Sequence, residues 1–388
     1  MRLCVVAGSF HPEIGGPSTY LHRLIPALIE RGHNVTVVTY TDAGHSGRDG
    51  NFSYPVYRVS RRWPLPLRLL MFRWRVLLEA RTVDLFFVSD YGLPVALANL
   101  ILRKPMVLKN VSDFAWEFST RHGWLPHGET IDEFQLRRHG WRVRGLQWLC
   151  SWYLRAADVV IVPSDYIGRL VAGWGVAAER TRVIYNALEA DQFASLPERA
   201  AARALCGLPE KAPLLLTAAR LASWKGISGI IRALPSVQRR FPDVRLLIAG
   251  DGPERAELQA LAADHGNGVQ FLGALSQQRV HELMRAADVF VLFSTYEGLP
   301  HTVLEAIACR TPVVASAVGG TVEILSHECN GLLVPAGDEE ALAAAICRML
   351  QEPQFGRELA DRAYGELERF SWERMLADTE ATLLEAAA

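Results

Sequence analysis

Between Val289 and Val314 the chain leaves few choices of fold. Val289 to Phe293 is an unbroken apolar run of five, the pattern of a strand covered on both faces. Pro300 then opens a stretch whose apolar positions Val303, Leu304, Ile307 and Ala308 recur at helical spacing. A buried strand, a loop and a helix in succession form the repeating unit of a parallel α/β sheet. The loop holds Glu297 and Gly298, and the helix carries Glu305 eight residues after Glu297. A helix beginning at Pro300 aims the backbone N–H groups of His301, Thr302 and Val303 out of its N-terminus, where an anion is favoured. An anion site beside two carboxylates suits a sugar nucleotide, with pyrophosphate on the amides and vicinal hydroxyls on the acids. A lone Glu on a helix is ordinarily a solvated surface residue, so this reading depends on the rest of the chain.

A chain of 388 residues exceeds what one hydrophobic core usually serves, so two domains are expected, at 1–190 and 191–370. The net charge of −1 gives no pull toward nucleic acid. It conceals an asymmetry: residues 1–195 carry 23 Lys/Arg against 17 Asp/Glu, a surplus of 6, and residues 196–388 carry 18 against 25, a deficit of 7. An anionic partner is therefore sought in the first half. Six scattered cysteines with no C-x-x-C pattern read as reduced cytosolic thiols and suggest no zinc site. The opening MRLCVVAGSF reads as a first core strand, too short for a signal sequence. No apolar stretch approaches the ~18–20 residues of a membrane span, so the expected location is cytoplasmic, with any membrane contact peripheral.

Along the first half, strands are expected at Leu3 to Ala7, Val35 to Thr39, Asp84 to Val88, Pro105 to Lys109 and Val159 to Val162. The first is followed by a loop with Gly8, Gly15 and Gly16, then a helix from Ser18. Its spacing is not G-x-G-x-x-G, which counts against a dinucleotide fingerprint. Residues 57–80 carry Arg58, Arg61, Arg62, Arg68, Arg73 and Arg75 with no acid up to Arg75, interleaved with Trp63, Met71, Phe72 and Trp74. Such a segment suits an anionic membrane interface or lipid-linked acceptor; a core helix with a solvated basic face accounts for it too. Asp90 and Asp113 end two strands, where open α/β sheets collect ligands. In the second half Arg220 and Lys225 lie five apart after the strand Leu214 to Ala218. A guanidinium fork and a point charge there suit a pyrophosphate.

EGLPHTVLE, with Glu297 and Glu305 eight apart, resembles the Glu-x7-Glu signature of family 4 of the retaining glycosyltransferases. The N-terminal Gly15-Gly16 loop, Arg220-x4-Lys225-Gly226, Gly319-Gly320-x-x-Glu323, the NGLLVPAGD segment and the FSWE start of the last helix resemble further family segments in the same order. The resemblance implies the GT-B fold, two Rossmann-like α/β domains with parallel sheets facing across a cleft, with the helix at 371–388 packing back on the first. It implies that Gly16 faces the donor pyrophosphate, that Arg220 and Lys225 neutralise the leaving diphosphate, and that Glu305 grips the ribose. Glu297 would contact the transferred sugar, and residues Gly298, Leu299, Pro300, His301, Thr302 and Val303 would line sugar and phosphate. It puts Asp113 where many members carry a His facing the reacting sugar; an N-cap for the next helix explains Asp113 equally. No Asp-x-Asp occurs, so neither a metal nor another cofactor is expected beyond the nucleotide sugar donor. The acceptor expected is a glycan or lipid-linked molecule of cell-envelope polysaccharide assembly. A nucleotide-sugar epimerase or hydrolase, and a non-catalytic nucleotide-sugar-binding protein, remain as alternatives.

Overall fold

The computed structural model describes every residue except 14–15, 43–45, 91, 127 and 189–190, and all other side chains save those of residues 191 and 267. Gly15 lies outside the described residues. The chain divides into two compact units, the first Met1–Leu125, Gln135–Ile184 and Glu373–Ala388, the second Pro126–Phe134 and Tyr185–Trp372.

The first unit holds β1 (Arg2–Ala7), β2 (Asn34–Thr41), β3 (Gly47–Asp49), β4 (Val56–Ser60), β5 (Leu85–Ser89), β6 (Met106–Lys109), β7 (Val159–Val162) and β8 (Thr181–Val183). They form one sheet in the order β3-β4-β2-β1-β5-β6-β7-β8, parallel throughout except where β3 turns back antiparallel on β4. The last helix, Trp372–Ala387, buries Met375, Leu376 and Leu383, and its Glu380 accepts from Arg31 and meets His33 Nε2 at 2.7 Å.

The second unit holds β9 (Leu214–Ala218), β10 (Arg245–Ala249), β11 (Val269–Gly273), β12 (Val289–Leu292), β13 (Val313–Ser316) and β14 (Leu332–Val334). All pair in parallel, in the order β11-β10-β9-β12-β13-β14. Strand β12 shows why its sequence is uniformly apolar. Val289 and Val291 enter one hydrophobic core with Leu215, Leu246 and Val314, while Phe290 and Leu292 enter the core on the opposite face with Leu216, Leu247 and Val313. Burial of each such side chain is worth roughly 1.5–3 kcal/mol, and a polar residue anywhere in the run would face a dry core.

Both sheets therefore grow outward from their first strand on one side and then return to the other, the doubly wound arrangement of Rossmann-like domains. The reversal falls between β1 and β5 in the first unit and between β9 and β12 in the second. Loops leaving neighbouring strands in opposite directions open a crevice there, at the strands' carboxyl ends. Expected strands Val159–Val162 and Leu214–Ala218 coincide with the observed ones, and the other expected strand ends lie within one or two residues. The basic segment differs more. Its first four residues, Tyr57 to Ser60, belong to β4, where Val56, Tyr57 and Val59 suit a pleated strand, and the helix begins only at Leu65.

Candidate functional site

In the second unit the two strands flanking the reversal supply the charged side chains. The loop after β9 carries Arg220, exposed, its guanidinium making no hydrogen bond or ion pair among the described residues. A single tight turn, Ser223–Lys225, follows. Lys225 Nζ lies 2.7 Å from Glu297 Oε1 in the loop after β12, and Ser294 Oγ donates to the same oxygen at 2.6 Å. Glu297 is buried, yet its Oε2 has no partner among the described residues. Lys225 and Glu297, 72 residues apart by number, are thus one pair in which the carboxylate is held by one oxygen and offers the other, with Arg220 earlier in the same loop as Lys225.

Two glycines bring these loops together. Gly226 has φ +63°, and a Cβ on it would lie 1.9 Å from the carbonyl oxygen of Phe293. Gly320 would put a Cβ 2.1 Å from the carbonyl oxygen of Gly298, while its N–H donates to the Glu297 carbonyl at 2.9 Å. Any side chain at either position would push apart the loops after β9, β12 and β13. That is the physical content of the glycines that follow Lys225 and precede Glu323.

The helix His301–Ala308 begins one residue after Pro300, which serves as its N-cap. Its amides do not all project. Val303 N donates to Pro300 O at 3.2 Å, and the Val303 side chain is fully buried, so Val303 is corrected from a phosphate-facing residue to a core residue. The first turn tightens because an i→i+3 bond satisfies an otherwise orphaned group. Leu299 and Pro300 are buried, Gly298 and Thr302 half-buried, and His301 exposed. Glu305 sits one turn into the helix, buried, with Oε1 3.1 Å from Gln277 Nε2, 3.5 Å from His281 Nε2 and 3.9 Å from His301 Nδ1. Burial alone would raise this carboxyl, but His281, His301 and Gln277 outweigh it and hold it below its usual value. Its Oε2 has no partner among the described residues. A hollow of about 360 Å³ in this unit lies beneath the amino ends of β9 and β10, lined by Lys211, Asp243 and Arg245, away from all of these groups and at the end of the sheet where such folds do not place ligands.

The first unit treats its charges differently. Gly16 opens the helix Gly16–Glu30 with nothing described within 4 Å of where a Cβ would stand. Asp113 is the N-cap of the helix Phe114–Arg121: Oδ1 accepts from Trp116 N at 3.0 Å and Oδ2 from Gln135 Nε2 at 2.8 Å. It is 3% exposed, and burial pushes it up to about 6. Asp90, the other acid expected at a strand end, follows β5 at φ +59° with Oδ1 accepting from Val111 N at 3.2 Å. Burial lifts it to about 7, and lowers the nearby Lys109, whose Nζ lies over the Tyr20 ring at 3.7 Å, to about 8.

Arg58 and Arg61 are corrections to the basic segment. Arg58 lies inward in β4, bonded to Asp49 Oδ2 at 2.7 Å and to the His11 carbonyl. Arg61 binds Glu13, Asp42 and the Gly8 carbonyl, and Arg68 donates to the Arg61 carbonyl at 3.3 Å and lies over Tyr40. These arginines brace the loop after β1 because acids on β3 and in neighbouring loops reach them, which spacing along the chain does not reveal. Arg62 and Trp63 are exposed and Arg73 is half-buried. The helix Leu65–Glu79 buries only Phe72 and Val76, and Leu67, Leu70, Met71, Trp74 and Leu78 recur on one face that stays exposed, 59% for Leu70 and 55% for Trp74.

Two units with doubly wound, largely parallel sheets, the second with a cation–carboxylate pair at its reversal, have the Rossmann-like build of the GT-B class. Comparison with known proteins agrees. Residues 14–192 match the family described as Glycosyltransferase Family 4, and residues 198–366 match Glycosyl transferases group 1. An uncharacterised glycosyltransferase of Methanocaldococcus jannaschii is 26% identical over 98% of this chain and 97% of its own length. The GDP-mannose-dependent monoacylated alpha-(1-6)-phosphatidylinositol monomannoside mannosyltransferase of Corynebacterium glutamicum is 27% identical over 96% of this chain and 95% of its own. The structure of Anabaena HepE in complex with UDP shares the fold, with a TM-score of 0.77 at 24% identity, covering 99% of this chain and 100% of that one. The chain belongs to the group 1, family 4 glycosyltransferases and is an enzyme of sugar transfer.

Proposed function

We propose that this enzyme is a retaining, metal-independent glycosyltransferase that moves a sugar from a nucleoside diphosphate sugar to a lipid-linked glycan acceptor at the cytoplasmic face of an anionic membrane, in cell-envelope polysaccharide assembly. The observation that carries it is the Lys225–Glu297 pair at the β9/β12 reversal, in the same loop as Arg220, which has no partner among the described residues. Arg220 and Lys225 meet the diphosphate and stabilise the negative charge that grows on it as the bond from the anomeric carbon to the phosphate oxygen breaks. Two fixed positive charges supply there what a divalent ion supplies elsewhere. Glu297 Oε2 receives a hydroxyl of the transferred sugar, Glu305 Oε2 the ribose hydroxyls, and Gly298 to Thr302 line the sugar and phosphate. The acceptor hydroxyl attacks from the face the diphosphate leaves, its oxygen bonding to the anomeric carbon, and its proton passes to the departing phosphate oxygen. No strong protein base is then required, which agrees with Asp113 spending both oxygens on its own fold. Space around Gly16 leaves room for a ligand at that helix start.

A lipid-linked acceptor is supported by the exposed apolar face from Leu67 to Leu78 with Trp63 and Arg62 beside it. Contiguous apolar surface of that kind marks an interaction site, and aromatic and basic residues together suit a headgroup boundary. No described helix is long and apolar enough to cross a membrane, so the contact is lateral. The Corynebacterium relative's name describes a phosphatidylinositol mannoside as its acceptor, a molecule of the same chemical kind. Sedimentation with anionic and with neutral vesicles tests this half: wild type should pellet with the anionic ones, and Trp63→Ser with Trp74→Ser should not. Wild type remaining in solution with both would overturn the membrane contact. Transfer from labelled donor to a lipid extract, with the anomeric configuration of the product read by NMR, tests the other half. An inverted product, or free sugar alone, would contradict retaining transfer.

A further inference from the structure

Glu305 is held by a device that nothing in the Glu-x7-Glu spacing announces. The helix Gln277–Ala286 presents Gln277 and His281, one turn apart and so on the same face, to one oxygen of that carboxylate. Gln277 Nε2 donates to Oε1 at 3.1 Å. His281 Nε2 stands 3.5 Å from Oε1, too long for a good hydrogen bond, and this nitrogen is buried with no closer partner. His281 is 2% exposed, and the Phe193 ring packs at 4.5 Å between centroids. A buried imidazole nitrogen without a bond is costly, and an apolar side chain would fill the space without that cost. Its place opposite Oε1 gains meaning if the carboxylate works through Oε2, the oxygen left open.

We infer that His281, with Gln277, is a positioning residue that fixes Glu305 by Oε1 so that Oε2 meets the ribose hydroxyls of the donor, making this helix the source of the enzyme's preference for ribonucleotides. The inference rests on the proposed ribose role of Glu305. The Phe193 ring sets the imidazole plane, and the 3.5 Å gap closes when a bound ribose draws the carboxylate into register, as hydrogen bonds of unliganded sites commonly tighten on binding. The diphosphate end of the donor, held by Arg220 and Lys225, is untouched by this arrangement.

The test is a set of dissociation constants for UDP and GDP, for their 2′-deoxy and 3′-deoxy forms, and for inorganic pyrophosphate, measured on wild type, His281→Phe, His281→Gln and Gln277→Leu. Losing a hydroxyl bonded to a carboxylate should weaken binding to wild type roughly 10- to 100-fold. His281→Phe should cut that discrimination several-fold by weakening the ribonucleotide only, with pyrophosphate affinity unchanged. His281→Gln, which keeps a donor, should restore part of it. Gln277 is exposed, so Gln277→Leu folds whatever happens at 281, and it should lower the ratio to a smaller degree. A ribo-to-deoxy ratio that stays at the wild-type value in both Phe and Leu variants, whatever their melting temperatures, overturns the inference while the ribose role stands. Wild type that binds the ribo and deoxy forms equally overturns both.

Discussion

The two sheets are both doubly wound and differ in what becomes of the charges on their strands and in the loops that follow them. In the second unit Arg220 has no partner among the described residues, and the Lys225–Glu297 pair leaves one carboxylate oxygen open. In the first, Arg58 is consumed by Asp49 and a carbonyl, Arg61 by Glu13, Asp42 and a carbonyl, and Asp113 by a helix N-terminus and Gln135. A charged side chain at a strand end serves a ligand only when the fold has left it something to give. The first unit instead shows an apolar helix face, so on the proposed reading it meets its partner by surface and the second unit meets the donor by charge.

The sharpest way to break this contrast is to remove a charge on each side. Lys225→Ala or Arg220→Ala should lower kcat/KM by on the order of 10²–10³, the usual loss of one donor to a developing anion, with the fold intact in circular dichroism. Activity within a few-fold of wild type would erase the distinction. Arg58→Ala should act on stability instead. It strands Asp49 in a mostly buried pair, at a cost of about 3 kcal/mol in urea unfolding, whereas Arg62→Ala should stay within about 0.5 kcal/mol. Equal costs would mean that Arg58 is as solvated as its neighbour.

Asp113 gives a smaller and more particular effect. Asp113→Ala removes a cap and should cost about 1–2 kcal/mol with kcat nearly unchanged; a loss of 10²-fold in kcat would return it to the chemistry. Its pH signature has a definite sign. Burial raises the carboxyl from 3.8 to about 6, so between those values the folded state holds the proton more tightly and stability falls as pH rises. Above about 6 the contribution is constant. Unfolding followed from pH 4 to 6 should therefore show a shallower fall in Asp113→Asn than in wild type. Asp90, raised from 3.8 to about 7, extends the same trend to pH 7, and Asp90→Asn should remove that extension.

Much of the second unit was legible. The run Val289 to Phe293 named a strand covered on both faces, and the motifs around Lys225 and Glu297 named two groups that the loops after β9 and β12 bring together. These signals are local: each is a strand, a turn and a side chain within about ten residues. The misread residues depend on partners that spacing hides. Arg58 looks like its basic neighbours until β4 pairs with β3 and sets it against Asp49. Val303 looked like a free helix amide until the first turn tightened onto Pro300. His281 carries no motif, because its target lies 24 residues on and is reached only through helix-to-helix packing. The apolar face of the helix Leu65–Glu79 was visible as tryptophans and leucines among arginines, but only the fold shows that it is the arginines that turn inward.

The most direct measurement of the central claim, that the β9/β12 reversal is the donor site, is thermal stabilisation by UDP, GDP, ADP, dTDP, CMP and NAD of wild type and of Lys225→Ala. A nucleoside diphosphate at 100 times its dissociation constant adds ~2.7 kcal/mol, readily seen as a shift in Tm. The account predicts that one or more of the diphosphates stabilises wild type and that the shift is largely lost in Lys225→Ala. Stabilisation by NAD alone, or an equal shift in both proteins, would contradict it.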